Sequence, residues 1–411
     1  MCKRTQFQLV ACASVFWMNL AVWAAGAFDV RIAGEFSKVV DTNTAVLTTN
    51  ATVTLGTSTI LEGPTWVPGN PGYLIFSVFR NGHYDDANAG LKKLVLPNTL
   101  STYLAPPAYT VCNGNTLDMQ ERLITCQSGT AGLRVVRITN DSTVTILATN
   151  CNGLKFYSPN DVVVKSDGTI WFTDPGFNGN TATPPQSGYQ TGHWVYRFDP
   201  VDGSCSIVIS NSAINRPNGL CFSPDESLLY LADYDARAIR VYSISASNTL
   251  SGGSVFATLP SGKGNPDGIR CDADGHVYSS ANDGVYVYMA YPDGRLIGHI
   301  ITSRGVNNLC FGGADGRTLF IAAAPDIVSI ACKVMGTGWI KRLQISSVED
   351  ASVRVAWPWP STGFQLQTSF DPDAGTWTQV PYPPFVSNGL NLIQVAPTNS
   401  AMWFRLCLPS P

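Results

Sequence analysis

Apolar residues in this chain come in short runs, each opened by one polar residue and ended by a tight turn. Six such runs fall into register, opening at Glu62, Asn113, Asn160, Asn218, Asp267 and Asn308. In five of them the turn residue lies seven positions on, at Gln120, Asp167, Asp225, Asp274 and Asp315, while Pro68 and Gly69 stretch the first. A second run, aromatic or β-branched, follows the turn, as in Ile170–Thr173, Leu229–Leu231 and Leu319–Ile321. Most repeats add a third, as in Val135–Ile138, Val195–Phe198, Ile239–Tyr242 and Val285–Tyr288. Runs of this kind bounded by Gly, Asp and Asn are strand signals, and helical periodicity is nowhere sustained. Repeat starts about 40 to 60 residues apart suit four-stranded antiparallel sheets, and six such sheets in a ring make a β-propeller.

The expected fold class is therefore all-β, a six-bladed β-propeller over residues 30–338 whose ring is closed by residues near 30–50. After Ile340 the repeat stops. Residues 340–411 carry Trp357, Trp359, Trp377 and Trp403 between Pro and Gly turns, with alternation such as Phe364–Gln367. That pattern predicts a small C-terminal antiparallel β module. In so small a module aromatics serve first as core, and a glycan or surface contact is the second reading.

Residues 1–27 read as a bacterial-type export signal peptide. Lys3 and Arg4 precede an apolar run from Leu9 to Ala25, and Ala25-Gly26-Ala27 supplies the small residues of a cleavage site. The run is short for a membrane span, is interrupted by Asn19 and has no basic stop after it. The expectation is a secreted or periplasmic protein with no membrane span after cleavage. Nine of the eleven cysteines follow residue 27, without any CxxC spacing, which removes the usual zinc and thioredoxin signatures. Cys221, Cys271 and Cys310 sit in three consecutive opening strands as small apolar fillers. An oxidising compartment permits a disulfide, for which Cys112–Cys126 within one blade is the candidate.

Charged residues make up 13% of the 411 and the formal net charge is −3, or −5 once Lys3 and Arg4 are removed. No block of basic residues stands out, so nucleic acid is not an expected partner.

In a propeller the residues that open the innermost strands converge at one end of a central channel. Here that brings together the carboxylates of Glu62 and Asp267 and several amide oxygens. Such hard ligands suit Ca²⁺ or Mg²⁺, and none of the four histidines holds an in-register position. Asn-Gly and Asp-Gly are also ordinary turn formers. Each repeat, however, has its own turn later, and two of the converging positions are carboxylates. The loops Gly176–His193 and Arg80–Gly90 run between second and third strands, so they are expected at this same end, the longer one as a lid.

The motifs Glu62-Gly63-Pro64-x-Trp66, Ser158-Pro159-Asn160-Asp161 and Trp171-Phe172-Thr173-Asp174-Pro175 are joined by Arg216-Pro217-Asn218-Gly219, Pro266-Asp267-Gly268 and Asn308-x-x-Phe311-Gly312-Gly313. Together, in unbroken order over residues 60 to 325, they resemble the gluconolactonase / senescence-marker-protein (regucalcin) family. The resemblance implies a six-bladed propeller that hydrolyses lactones, a carboxylic-ester hydrolase, with one divalent metal in the channel. It implies Glu62, Asn218 and Asp267 as metal ligands, Asn160 as a further ligand or substrate contact, and Asp267 as general base. Asn113 and Asn308, also in register, are expected to line the channel or contact substrate. The implied metal is Ca²⁺, with Mg²⁺, Mn²⁺ or Zn²⁺ as alternatives, and the implied partner is a small sugar-type lactone.

Two departures bear on substrate preference. Gln127-Ser128 stands where Glu-His is common among relatives, and Gly176-Phe177 where Pro-Tyr is common. Two further readings stay open: a non-catalytic propeller that binds a sugar or glycan, and an aryl-ester or phosphotriester hydrolase on the same scaffold. No G-x-S-x-G elbow argues for a serine nucleophile.

Overall fold

The structure is a computed structural model. It describes residues 22–23 and 27–407 except 82–85, 87, 108, 140–141, 178–186, 191, 211–212, 340–343, 349–351, 359–364, 371–375, 382, 388–389 and 397–401. Among these, regular helix is confined to Ala33–Val39 and a 3₁₀ turn at Thr337–Trp339, and antiparallel sheets make up the rest of the regular structure.

Six sheets follow the sequence repeat, each opened by an inner strand: Thr59–Val67, Val111–Leu117, Val162–Val164, Pro217–Phe222, Ile269–Cys271 and Asn308–Gly312. Within each sheet consecutive strands pair antiparallel from the inside outward. The inner strands contact one another in chain order, and the sixth contacts the first, so the sheets form a β-propeller ring. Residues from before the first sheet close it. Leu47–Thr52 pairs as the fourth strand of the sixth sheet, and Phe28–Val30 adds an outermost strand to the fifth.

Turn chemistry ends the inner strands as the pattern predicts. The carboxylates of Asp167, Asp225 and Asp315 accept the amides of Thr169, Ser227 and Arg317. In the second and fifth sheets the accepting side chain comes two residues earlier: Asp118 takes the Gln120 and Arg122 amides, and Asp272 takes those of Asp274 and His276. An Asp side chain that bonds two residues on mimics a backbone turn, so the second-sheet turn does not depend on Gln120.

Each sheet is glued to the next by apolar side chains, as flat faces stacked around an axis require. Trp66 of the first sheet stacks on Phe320 of the sixth at 5.3 Å. Trp171 of the third sheet meets Phe222 of the fourth edge-on at 5.7 Å. Full burial of one such side chain stabilises by roughly 1.5–3 kcal/mol. The short helix is fastened the same way: Phe36 lies fully buried over Gly298 of the fifth sheet, where any side chain would strike its ring.

Beyond the ring two small sheets share one cluster, Val355, Trp357, Leu366, Val380, Ile393 and Val395. Trp357 is core, as expected, whereas Trp403 is exposed and Trp377 carries Arg405 over its ring at 4.3 Å. Trp359 lies outside the described residues.

The Cys112–Cys126 bridge is not formed, and the eight cysteines whose side chains are described are free. Cys112 pairs in register with Gln127, so Cys126, one step away, points to the opposite face of its sheet. The two thiols that do hydrogen-bond each other are those of Cys151 and Cys205.

Candidate functional site

The polar residues that open the repeats are delivered to the channel by a shared backbone device. In the first, second and fourth sheets the register slips beside Glu62, Asn113 and Asn218, and a bulge there re-aims the side chain. The glycine after the polar residue does a different job from a turn. Gly114, Gly219 and Gly268 lack positive φ, and each donates its amide to the neighbouring inner strand: to Asn160 O at 2.8 Å, Asp267 O at 3.0 Å and Asn307 O at 2.7 Å. A Cβ at Gly219 would collide with the Asp267 carbonyl, and one at Gly268 with the Asn308 side chain. These glycines let adjacent strands approach closely enough for their side chains to meet.

Glu62 is buried, and its Oε2 accepts the Asn308 amide at 3.0 Å and the Gly63 N–H at 2.9 Å. Burial pushes its carboxyl up to about 7, the two hydrogen bonds oppose the rise, and the charge of Asp161 adds to it. Asp267 is only half-buried at the channel surface, with its amide on Ser280 Oγ at 3.0 Å. Desolvation, then the charges of Glu62 and Asp161, hold its carboxyl well above the usual range, against hydrogen bonds from Asn307 and Asn218.

Asn218 thus donates to Asp267 while its Oδ1, sealed from solvent, has no hydrogen-bond partner. The Oδ1 of Asn113 is orphaned in the same way. Asn160 is buried, its backbone tied to Thr173 O and to Gly114 N. Asn308 is committed: Nδ2 goes to Glu62 and Oδ1 takes the Leu309 N–H at 2.8 Å.

These residues fit a hard divalent cation. Two carboxylates that resist ionisation side by side, next to unpartnered amide oxygens, are what a dication would relieve. Among the described residues no three His, Cys, Asp or Glu side chains gather into a metal-binding group, so the amide oxygens are needed to complete such a site. Three histidines are engaged elsewhere: His193 with Asn215 O, His276 with Asp272 and His299 against Tyr286. His83 lies outside the described residues.

Several residues of the site were not singled out from the sequence. Asp161, beside Asn160, is fully buried and pairs with Arg270 at 3.3 Å, with its charge close enough to act on both Glu62 and Asp267. Asp174 accepts the Tyr157 N–H at 2.7 Å and the Ser158 N–H, anchoring the turn that leads into Asn160; burial pushes its carboxyl up to about 7. Asp233 repeats the device in the fourth sheet, accepting the Arg216 N–H at 3.2 Å and Arg240 Nε at 2.7 Å before Asn218. The recurrence of Asp at the end of both second strands was the available signal.

Around the mouth, Phe177 meets the Tyr234 ring edge-on at 5.0 Å, and Arg216 lies over Phe177 while pairing with Asp235 at 3.3 Å. The far end of the Gly176–His193 loop is pinned to residues 151–155: Lys155 N donates to Gly188 O at 2.9 Å and Gln190 Nε2 to Cys151 O at 2.8 Å. Residues 178–186 of the proposed lid, and 82–85 and 87 of its counterpart, lie outside the described residues. Gln127 bonds Arg134 Nε at 2.7 Å and Cys112 Sγ at 3.6 Å.

The model of the SMP-30/gluconolactonase/LRE-like region matches residues 60–325, the whole span of the six opening residues. The chain belongs to this family. It is 29% identical to a gluconolactonase of Zymomonas mobilis subsp. mobilis over 298 residues, covering 67% of this chain and 79% of that protein. It is 27% identical to the lactonohydrolase OryL of Aspergillus oryzae, covering 67% of this chain and 68% of that protein. A solved gluconolactonase of Xanthomonas campestris superposes with a TM-score of 0.63 at 29% identity, covering 76% of this chain and 97% of that one. Family membership supports hydrolysis of a lactone, the cyclic ester bond.

Proposed function

We propose that this chain is an exported, metal-dependent lactonase on a six-bladed propeller that opens the ring of a sugar-type lactone. The observation that carries the reading is the Glu62–Asp267 pair, both carboxyls raised, beside the orphaned Oδ1 of Asn218. Glu62, Asn218 and Asp267 would hold the cation, Ca²⁺ or alternatively Mg²⁺, Mn²⁺ or Zn²⁺, with Asn160 as further ligand or substrate contact. When bound, it supplies a Lewis acid for the lactone carbonyl.

The residues of the chain do the rest. Asp267, the more exposed carboxylate, accepts a proton from the attacking water and returns one to the ring oxygen as the acyl C–O bond breaks. Asn307 and Asn218 hold that carboxylate in place by hydrogen bonds. Asn113, whose Oδ1 is unpartnered but sealed from solvent, lines the channel beside the substrate. Asn308 acts on substrate through Glu62, since its own amide is spent. Phe177 and Arg216 form the wall that meets the non-reacting side of the substrate.

The test is a panel of sugar lactones, homoserine lactones and aryl esters, run before and after exhaustive chelation. Sugar-lactone turnover that vanishes with chelator and returns with Ca²⁺ supports the proposal. Full activity after chelation ends the metal assignment, and turnover of aryl esters alone ends the substrate class. A glycan or surface contact through residues 340–411 would use the exposed Trp403. It predicts that the full chain is retained on insoluble polysaccharide and that Trp403→Ala is not; equal retention of the two contradicts it.

A further inference from the structure

Residues further along the inner strands line a cavity of about 270 Å³, among them Trp66, Met119, Cys221, Phe222, Arg270 and Phe311. Its lining residues Pro64, Asn115 and Arg270 lie two to three positions beyond Glu62, Asn113 and Asp267, which at ~3.3 Å per strand residue sets the cavity ~7–10 Å from the lactonase site. The Asp161–Arg270 pair touches both: Arg270 lines the cavity, and the charge of Asp161 acts on Glu62 and Asp267.

Arg270 is the feature that gives this cavity a chemistry. Its side chain is 15% exposed. Nη1 alone makes its hydrogen bonds, to Asp161 Oδ2 at 3.3 Å and Ile269 O at 2.7 Å. Nε and Nη2 have no hydrogen-bond partner among the described residues, and neither is sealed within protein. An Nε–Nη2 edge is a fork that matches a carboxylate with two parallel hydrogen bonds. The walls around it combine the Trp66, Phe222 and Phe311 rings and the Cys221 and Cys310 thiols with the polar Thr65, Asn115, Thr116 and Ser223; burial pushes both thiols up to about 12, so they stay neutral. At the rim stand Asp118, paired with Arg122 at 2.7 Å, Glu226, paired with Lys165 at 3.9 Å, and Glu121. Acids at the entrance disfavour dianions, and the three rings beside the guanidinium favour an apolar body over a fully hydroxylated one.

We propose that this cavity binds a compact apolar monocarboxylate, an aromatic or short-chain acid, with its carboxylate on the free edge of Arg270 and its body against Trp66, Phe222 and Phe311. The site is separate from the lactonase centre, and the proposal stands whether or not the lactonase reading does.

The experiment is calorimetric titration of the full chain with benzoate and with benzyl alcohol, its uncharged counterpart, in chelated and Ca²⁺-loaded protein. Benzoate should saturate one site in both forms, with benzyl alcohol at least tenfold weaker. Arg270→Met should abolish the preference for benzoate. Because that change strands Asp161, Met119→Trp at the rim is the second variant; it should block benzoate while leaving lactone turnover unchanged. The proposal is overturned by absence of saturable binding, by equal affinity for the two ligands, by unchanged binding in Met119→Trp, or by binding that requires Ca²⁺.

Discussion

Replacing Glu62 by Gln separates the cost of a buried charge from its use. Burial pushes the folded carboxyl up to about 7 from an ordinary value of 4.5. At ~1.4 kcal/mol per unit this amounts to ~3 kcal/mol. The group is buried, so solvent screening does not discount it. A carboxyl whose pKa is raised on folding costs nothing below pH 4.5, costs progressively more as pH rises toward 7, and carries the full penalty above it. Asp267 shifts in the same direction. Metal-free wild-type protein should therefore lose thermal stability between pH 5 and 8. Glu62→Gln keeps an oxygen for the Asn308 and Gly63 donors but carries no charge. At pH 8 without metal it should melt higher than wild type, by ~6 °C if each kcal/mol is worth ~2 °C in a domain of this size. Added Ca²⁺ should reverse the order, raising the wild-type Tm and leaving the variant nearly unmoved. Tryptophan fluorescence melts of chelated protein across pH 5–8, with and without Ca²⁺, read all of this. A metal-free variant that melts below wild type at pH 8, with the same pH slope, would refute the reasoning.

Three other outcomes are expected. Asn160→Ala should raise KM more than it lowers kcat, because its backbone anchors stay in place and only the channel-facing amide is lost; a pure kcat effect in steady-state assays would reassign it. Gly219→Ala should cost both stability and activity, since the new Cβ collides with the carbonyl of Asp267; normal melting and turnover would show that the close approach is not required. Shortening the 178–186 segment should change relative rates across a lactone panel while leaving Tm nearly constant, and unfolding on that deletion would make the loop structural.

The ring was legible because a propeller repeats one packing problem around an axis, so the residues that open the inner strands recur in register. Glu62, Asn218 and Asp267 could be placed at one end before any coordinate was known, and the N-terminal strand Leu47–Thr52 does close the sixth sheet. What escaped was chemistry without a periodic signature. Asp161 sits where the other repeats carry Gly or Leu, and its partner Arg270 is hidden inside an otherwise apolar strand. Nothing local says that the two meet across 109 positions. Asp174 and Asp233 recur, but as ends of second strands they look like loop residues until their carboxylates are seen taking backbone amides. The Cys112–Cys126 pairing failed because strand neighbours one step out of register face opposite ways.

Turnover of a sugar lactone by Asp267→Asn at saturating Ca²⁺ tests the central claim most directly. The substituted amide still offers one oxygen and fills the same space, but it cannot accept a proton. Wild-type protein should hydrolyse glucono-lactone, and the variant, equally folded and saturated with metal, should show kcat lower by at least ~100-fold, the scale of a lost general base. Near-normal turnover in the variant would contradict the assignment of Asp267 as the base on which the proposed mechanism depends.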